Sequence, residues 1–156
     1  MKYLSKSNKG FTLIELLVVI GILAVLLSIV LVAINPARQF AQANNTQRRS
    51  DVAALLNAIH QYSADNAGAL PAGLPAAGAT AINIGSATGG TGAAFCNALV
   101  PTYIAALPHD PLPAGSFTNC ATYDTQYSAS LSGGTTPRVT ISAPDVELGT
   151  VISVTR

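Results

Sequence analysis

Glu15 is the residue in this chain whose chemistry most needs a reason. It is the only charge in the 24-residue run FTLIELLVVIGILAVLLSIVLVAI, from Phe11 to Ile34. A carboxylate inside an apolar helix costs on the order of 2.5–3.5 kcal/mol on membrane-insertion scales, so it should have a partner or a purpose. Thr12 stands three residues before it, the spacing of a capping box, in which each of the two residues satisfies a free backbone N–H at a helix start. The positive end of the helix dipole also favours an acid there. A second partner arises if the chain is cut after Gly10. Phe11 then gains a free ammonium, and Glu15 can pair with the ammonium of an adjacent copy.

The other reactive side chains form no catalytic constellation. His60 and His109 show neither metal nor triad spacing and read as surface residues, and no G-x-S-x-G elbow occurs. The Gly-rich stretch has no Gly-Lys-Ser/Thr after it, so it is not a P-loop. A formal charge of +1 argues against a nucleic-acid binder. No cofactor and no enzymatic activity are expected.

The element that must position Glu15 is the apolar run itself. Only 10% of the chain is charged and 49% is hydrophobic, which excludes an acidic disordered tail. As a helix, 24 residues measure roughly 36 Å, enough to cross a ~30 Å hydrocarbon core. Residues 1–10 carry Lys2, Lys6 and Lys9 and no acid, which should keep that side cytoplasmic and place the rest of the chain outside. A buried core helix is rarely so long and so uncharged. A secretory signal peptide has a shorter apolar stretch and a small-residue cleavage site, which Ala33 and Asn35–Pro36 do not make.

With these residues in view, KGFTLIELLVVIGILAVLL resembles the amino terminus of type IV pilins and of type II secretion pseudopilins. The shared features are a short basic leader, Gly10 before the cut, Phe11 after it, Thr12, Glu15 and an unbroken apolar helix. The resemblance implies cleavage between Gly10 and Phe11 by a prepilin peptidase, and N-methylation of Phe11. It implies assembly through Phe11, Thr12 and Glu15. Loss of three lysines would leave five basic residues against seven acidic ones. Some major pseudopilins bind calcium in the head, which makes Asp145 and Glu147, with Asp124 or Asp110, weak candidates. Four dispersed acids form no EF-hand loop, and no metal is expected.

Beyond the span, Asn35–Pro36 should make a helix joint. Pro36 kinks or breaks a continuous helix, or Asn35 caps a new one with Pro36 at its first position. Gly21 is the other weak point. Val52, Leu55, Leu56, Ile59 and Tyr62 follow a helical stripe, and Gly68 can end the helix. The stretch NNTQRRSD, residues 44–51, is polar nearly all round and suits a solvated neck, with Arg48–Arg49 read as a solvated pair. Residues 67–95 are rich in Ala, Gly, Thr, Ser and Pro and read mostly as loop, with AINIGS as a short strand and Ser86, Thr88 and Thr91 as places for sugars. Residues 94–107 suggest a short helix or turn structure broken at Pro101. Alternation marks strands through Tyr123–Leu131, Val139–Ala143 and 150–155. Cys96 and Cys120 lack CxxC spacing and, beyond the membrane, should form a disulfide.

The fold class expected is α+β: a long N-terminal helix, apolar then amphipathic, packed on a small antiparallel β-sheet head, the pilin fold. The expected divisions are a leader (1–10), a transmembrane and filament-core helix (11–34), an amphipathic helix (35–66), a variable loop and short helical region (67–122) and the sheet (123–156). The function expected is a structural subunit, major pilin-like, of a type IV pilus. Its alternatives are a type II secretion pseudopilin or a non-polymerising membrane-tethered adhesive module. The partners implied are copies of itself in a helical homopolymer, prepilin peptidase, an inner-membrane assembly platform and lipid before assembly. The precursor would cross the inner membrane once and end in an extracellular filament.

Overall fold

The computed structural model describes residues 10–156; the leader lysines Lys2, Lys6 and Lys9 lie outside the described residues. The chain divides into two compact units, one running through Gln39 and the other from Phe40 to Arg156. Each has its own logic.

The first unit is built on α1, Leu13–Ile34, which none of its residues leaves for a core. Its most apolar 18-residue stretch has a mean hydropathy of 3.4, and the 22-residue helix is long and apolar enough to cross a membrane. The helix runs unbroken through Gly21 and ends where Asn35 turns left-handed at φ 47°. The next helix, α2 (Pro36–Asp65), starts at once. Proline suits this first position because its missing N–H would have had no helical partner there. The Asn35 carbonyl accepts from the amides of Arg38 and Gln39, and its side-chain Oδ1 also accepts from Arg38. Asn35 thus closes one helix and caps the other.

The second unit holds the core. Along α2 the stripe Val52, Leu55, Leu56 and Ile59 is fully buried, with Tyr62 packed at its margin. The helix ends at Asp65, and the Gly68 amide reaches back to the Ser63 carbonyl at 2.8 Å with Gly68 at φ 90°. A five-stranded antiparallel sheet supplies the opposite side of the core. Its strands are β1 (Ile82–Gly85), β2 (Ser116–Asn119), β3 (Thr122–Leu131), β4 (Val139–Ala143) and β5 (Ile152–Thr155). The path is β1-β3-β4-β5, and β2 also pairs with β3. Asp124 pairs with Gly85 of β1 and with Ser116 of β2, so β2 lies on the edge of β3 opposite β1. Alternation along β3 places Tyr123, Thr125, Tyr127, Ala129 and Leu131 inside, as period 2 requires. Val139, Ile141, Ala143 and Ile152 continue that face.

The connection from α2 to the sheet carries the short strand read from AINIGS and a short helix that begins just before the 94–107 stretch read as helix or turn. It contains β1 and α3 (Gly92–Leu99), whose Phe95, Cys96 and Leu99 are buried. Gly73 lies at φ 96°, and a Cβ there would fall 2.0 Å from the Thr91 carbonyl oxygen, so only glycine lets these two loops meet. Strand β2 follows the Pro-rich loop and carries no alternation that sequence reading could use, because only Phe117 is partly covered and its other residues are exposed. Cys96 is joined to Cys120, tying α3 to the turn between β2 and β3.

Candidate functional site

The amino-terminal segment has the geometry its residue types imply. Thr12 takes the extended conformation of an N-cap, and its Oγ1 accepts from the Glu15 amide at 3.3 Å. Glu15 Oε2 accepts from the Thr12 amide at 2.8 Å and from the Thr12 hydroxyl at 2.7 Å. The capping box is therefore closed in both directions, which fixes the carboxylate at the first turn of α1. Both bonds fall on Oε2; among the described residues Oε1 accepts none. Phe11 stands beside this carboxylate with 84% of its surface exposed, and Gly10 is exposed too. The arrangement holds a carboxylate at the start of the apolar helix, next to Phe11, with one oxygen free among the described residues.

The head contains a second polar constellation, centred on Arg48, and here the sequence reading needs correction. Arg48 is not a solvated residue: none of its surface is exposed. Its Nε and Nη2 donate to Asp110 Oδ2 and Oδ1 at 2.6 and 2.9 Å, a bidentate fork. Its Nη1 donates to Glu147 Oε2 and to Asn45 Oδ1, both at 3.0 Å. Asn45 clamps the backbone of Glu147 as well, donating to its carbonyl at 2.7 Å and accepting from its amide at 3.1 Å. Asn44 reaches Glu147 Oε2 at 2.9 Å. The polar neck is thus a latch that holds both the Pro-rich loop and the β4–β5 loop on α2. Arg49, the other member of the pair, is exposed as expected.

Electrostatics follow from this geometry. Burial works against the Asp110 carboxylate, but hydrogen bonds from Arg48 and from the Leu112 amide outweigh it and hold its pKa below the ordinary value. Hydrogen bonding to Asp110 raises the Arg48 pKa further still. Asp51, one turn along α2, moves the other way. Burial raises its pKa, against the bond it receives from the Tyr127 hydroxyl at 2.8 Å.

The weak calcium candidates are not brought together as an oxygen cage. Asp110 and Glu147 both face the Arg48 guanidinium, a fixed cation where a metal would have to sit. Asp124 Oδ1 accepts from the Asn83 side chain and the Gln126 amide, and Asp145 is exposed. Among the described residues no group of three or more His, Cys, Asp or Glu could hold a metal ion. His109 is exposed, its Nδ1 lying 3.1 Å from the Asp110 carbonyl. His60 is half-buried rather than on the surface, and its Nε2 is shielded without a partner among the described residues. Of the three hydroxyls read as sugar sites only Thr88 is exposed. Thr91 is buried against the Tyr123 hydroxyl, and Ser86 bonds the Tyr123 backbone.

The signal that could have found Arg48 is its position. Ala41, Asn45, Arg48, Val52 and Leu55 are spaced as one helix face, and all are buried. The apolar stripe continues toward the amino terminus in polar residues, where a hydrophobicity pattern stops seeing it.

Comparison with curated proteins and with solved structures found no match. A family match covers residues 5–31, the prokaryotic N-terminal methylation motif. The chain therefore carries the class III signal peptide of type IV pilins and pseudopilins, followed by an α+β head of pilin-like architecture.

Proposed function

We propose that the chain is a structural, non-enzymatic subunit of a type IV pilus, built from a membrane-anchored precursor with its head outside. The observation that carries this reading is Glu15, locked by Thr12 at the first turn of an otherwise uncharged span, with no partner on Oε1 among the described residues. Prepilin peptidase would cut between Gly10 and Phe11 and leave an ammonium on Phe11, which is then methylated. Copies entering the filament would pack their α1 helices together. Lipid already hides those side chains, so helix burial contributes little to extraction. It does explain retention, because a subunit expelled into water would expose apolar side chains worth about 1.5–3 kcal/mol each. The Phe11 amine of one copy and Glu15 of its neighbour would fix the axial register, since an unpaired buried carboxylate is costly.

The long loop of Ala, Gly and Thr, residues 67–95, and the sparse charge suit a surface lattice more than a secretion pseudopilus. Electron microscopy of sheared cell-surface material distinguishes the two. Glu15→Ala tests the register argument. The variant should insert in the membrane and lose its leader normally, yet give few or no filaments. Normal filament yield would remove the role assigned to the carboxylate. A mature protein that keeps its first ten residues and stays monomeric in detergent would instead support the tethered module.

A further inference from the structure

The second unit exposes three large apolar side chains that its own core does not use. Leu148 and Val151, in the loop between β4 and β5, are 51% and 88% exposed, and Phe40 on α2 is 70% exposed. The three belong to one neighbourhood. Phe40 lies one helical turn before Asn44, whose side chain bonds Glu147, next to Leu148. Val151 follows Thr150, whose hydroxyl takes a bond from Asn45. Leu148 is also held at φ 60°, a left-handed conformation that is strained for an ordinary side chain. A strained backbone that presents a leucine to solvent, latched by a buried arginine, is an arrangement that stability alone does not explain.

We propose that this patch sits in the interfacial layer of the bilayer that α1 spans, so that the precursor is held at the membrane surface by its head as well as by its span. The proposal rests on the reading of α1 as a membrane helix. Chain continuity favours lipid as the occupant. The span ends at Ile34, and Phe40 follows it by six residues. The loop bearing Leu148 and Val151 is bonded to Asn44, Asn45 and Arg48, all within the first half of α2. An aromatic ring with two aliphatic side chains is suited to the boundary between headgroups and acyl chains. Exposed Arg38, four residues past the span, adds a cation for anionic headgroups. Of the loop's two acids, Glu147 is paired with Arg48, and exposed Asp145 alone opposes that attraction.

The chain has no tryptophan, so a single introduced one reports its own surroundings. Full-length Val151→Trp and, separately, Phe40→Trp should be reconstituted in vesicles of phosphatidylethanolamine and phosphatidylglycerol with acyl chains brominated near the headgroup. Both reporters should emit blue-shifted light and lose most of it to bromine. A Ser132→Trp reporter, in the β3–β4 turn, should not. Adding Val151→Asp to the Phe40→Trp chain should shift the emission back toward that of a solvated ring. Unquenched, red emission from positions 40 and 151 overturns the proposal. So does shielding that bromine does not touch but that grows with protein density, because a second copy would then be covering the patch. An Ile20→Trp reporter in α1, read in vesicles brominated deep in the acyl chains, separates the two levels of the argument: if it escapes that bromine, the span itself has failed.

Discussion

Arg48 shows how one residue can carry a large share of a fold's specificity. Its guanidinium is fully buried and satisfied by Asp110, Glu147 and Asn45. Arg48→Met removes the cation and strands the Asp110 carboxylate, which is 1% exposed. Breaking a buried pair in this way typically costs about 3–5 kcal/mol. Chemical denaturation of the variant should show a loss of that order. Combining it with Asp110→Leu should restore much of the loss, since an apolar pair of similar volume needs no desolvated partner. Failure of the double variant to recover would mean that the charges themselves hold the loops in place. Acid provides a second check. Asp110 has a folded pKa below its ordinary 3.8, so its contribution is complete above that value and disappears as pH falls through the folded pKa. Asp51 has the opposite sign: its raised pKa means that folding favours its proton, so acid relieves a cost there. Stability measured from neutral pH down to about pH 3 should therefore fall less steeply in Asp110→Asn than in the parent, from a lower starting value. Equal slopes would remove Asp110 as the acid-sensitive group. Sequence reading could not have reached Arg48 by hydrophobicity. Its spacing along the buried face of α2 was visible, but what satisfies the charge there is set by the partners that other elements bring, here Asp110, 62 positions away.

Elements were readable wherever burial imposed a period. The stripe of α2 and the alternating residues of β3 and β4 are buried because those positions face one core, and the same spacing is visible in the residues themselves. Strand β2 escaped because its residues are mostly exposed, so no period was imposed on them. The Arg48 latch escaped for the reason already given. Between these lies the region of 67–122, where composition reads as loop and structure depends on a few ties. Cys96–Cys120 is the strongest of them, with a sequence separation of 24. Closing a loop of that size restricts the unfolded chain by about 3.5 kcal/mol in the chain-entropy model. Replacing both cysteines by serine, or reducing the bond, should lower the unfolding free energy by roughly that amount. The resulting loss of order should concentrate in α3 and β2, as hydrogen exchange would show, with the β3–β4–β5 meander retained because its pairing involves neither cysteine. Protection lost evenly across the sheet would instead mean that the bond supports the whole core.

The division of the molecule into two units has a consequence for how it can be handled and for what it does. No residue of α1 is buried, whereas every residue of the hydrophobic core belongs to the second unit. Removing the first 35 residues therefore deletes no core residue among those described. A chain beginning at Pro36 should be soluble without detergent and should unfold cooperatively. Its stability should change by no more than about 0.5 kcal/mol, as for a change away from the core, which corresponds to a midpoint shift of less than about 4 °C. The full chain should need detergent or lipid to stay dispersed, because in water it exposes an apolar helix with nothing to cover it. The pair of measurements separates two jobs. If both hold, the head is an autonomous fold that the span only carries, and any assembly defect from Glu15→Ala is a defect of the span. If the shortened chain melts broadly or associates, α1 is part of the head's stability, and an assembly defect could then arise from misfolding. The experiment on the shortened chain thus fixes how the filament phenotype of Glu15 must be read.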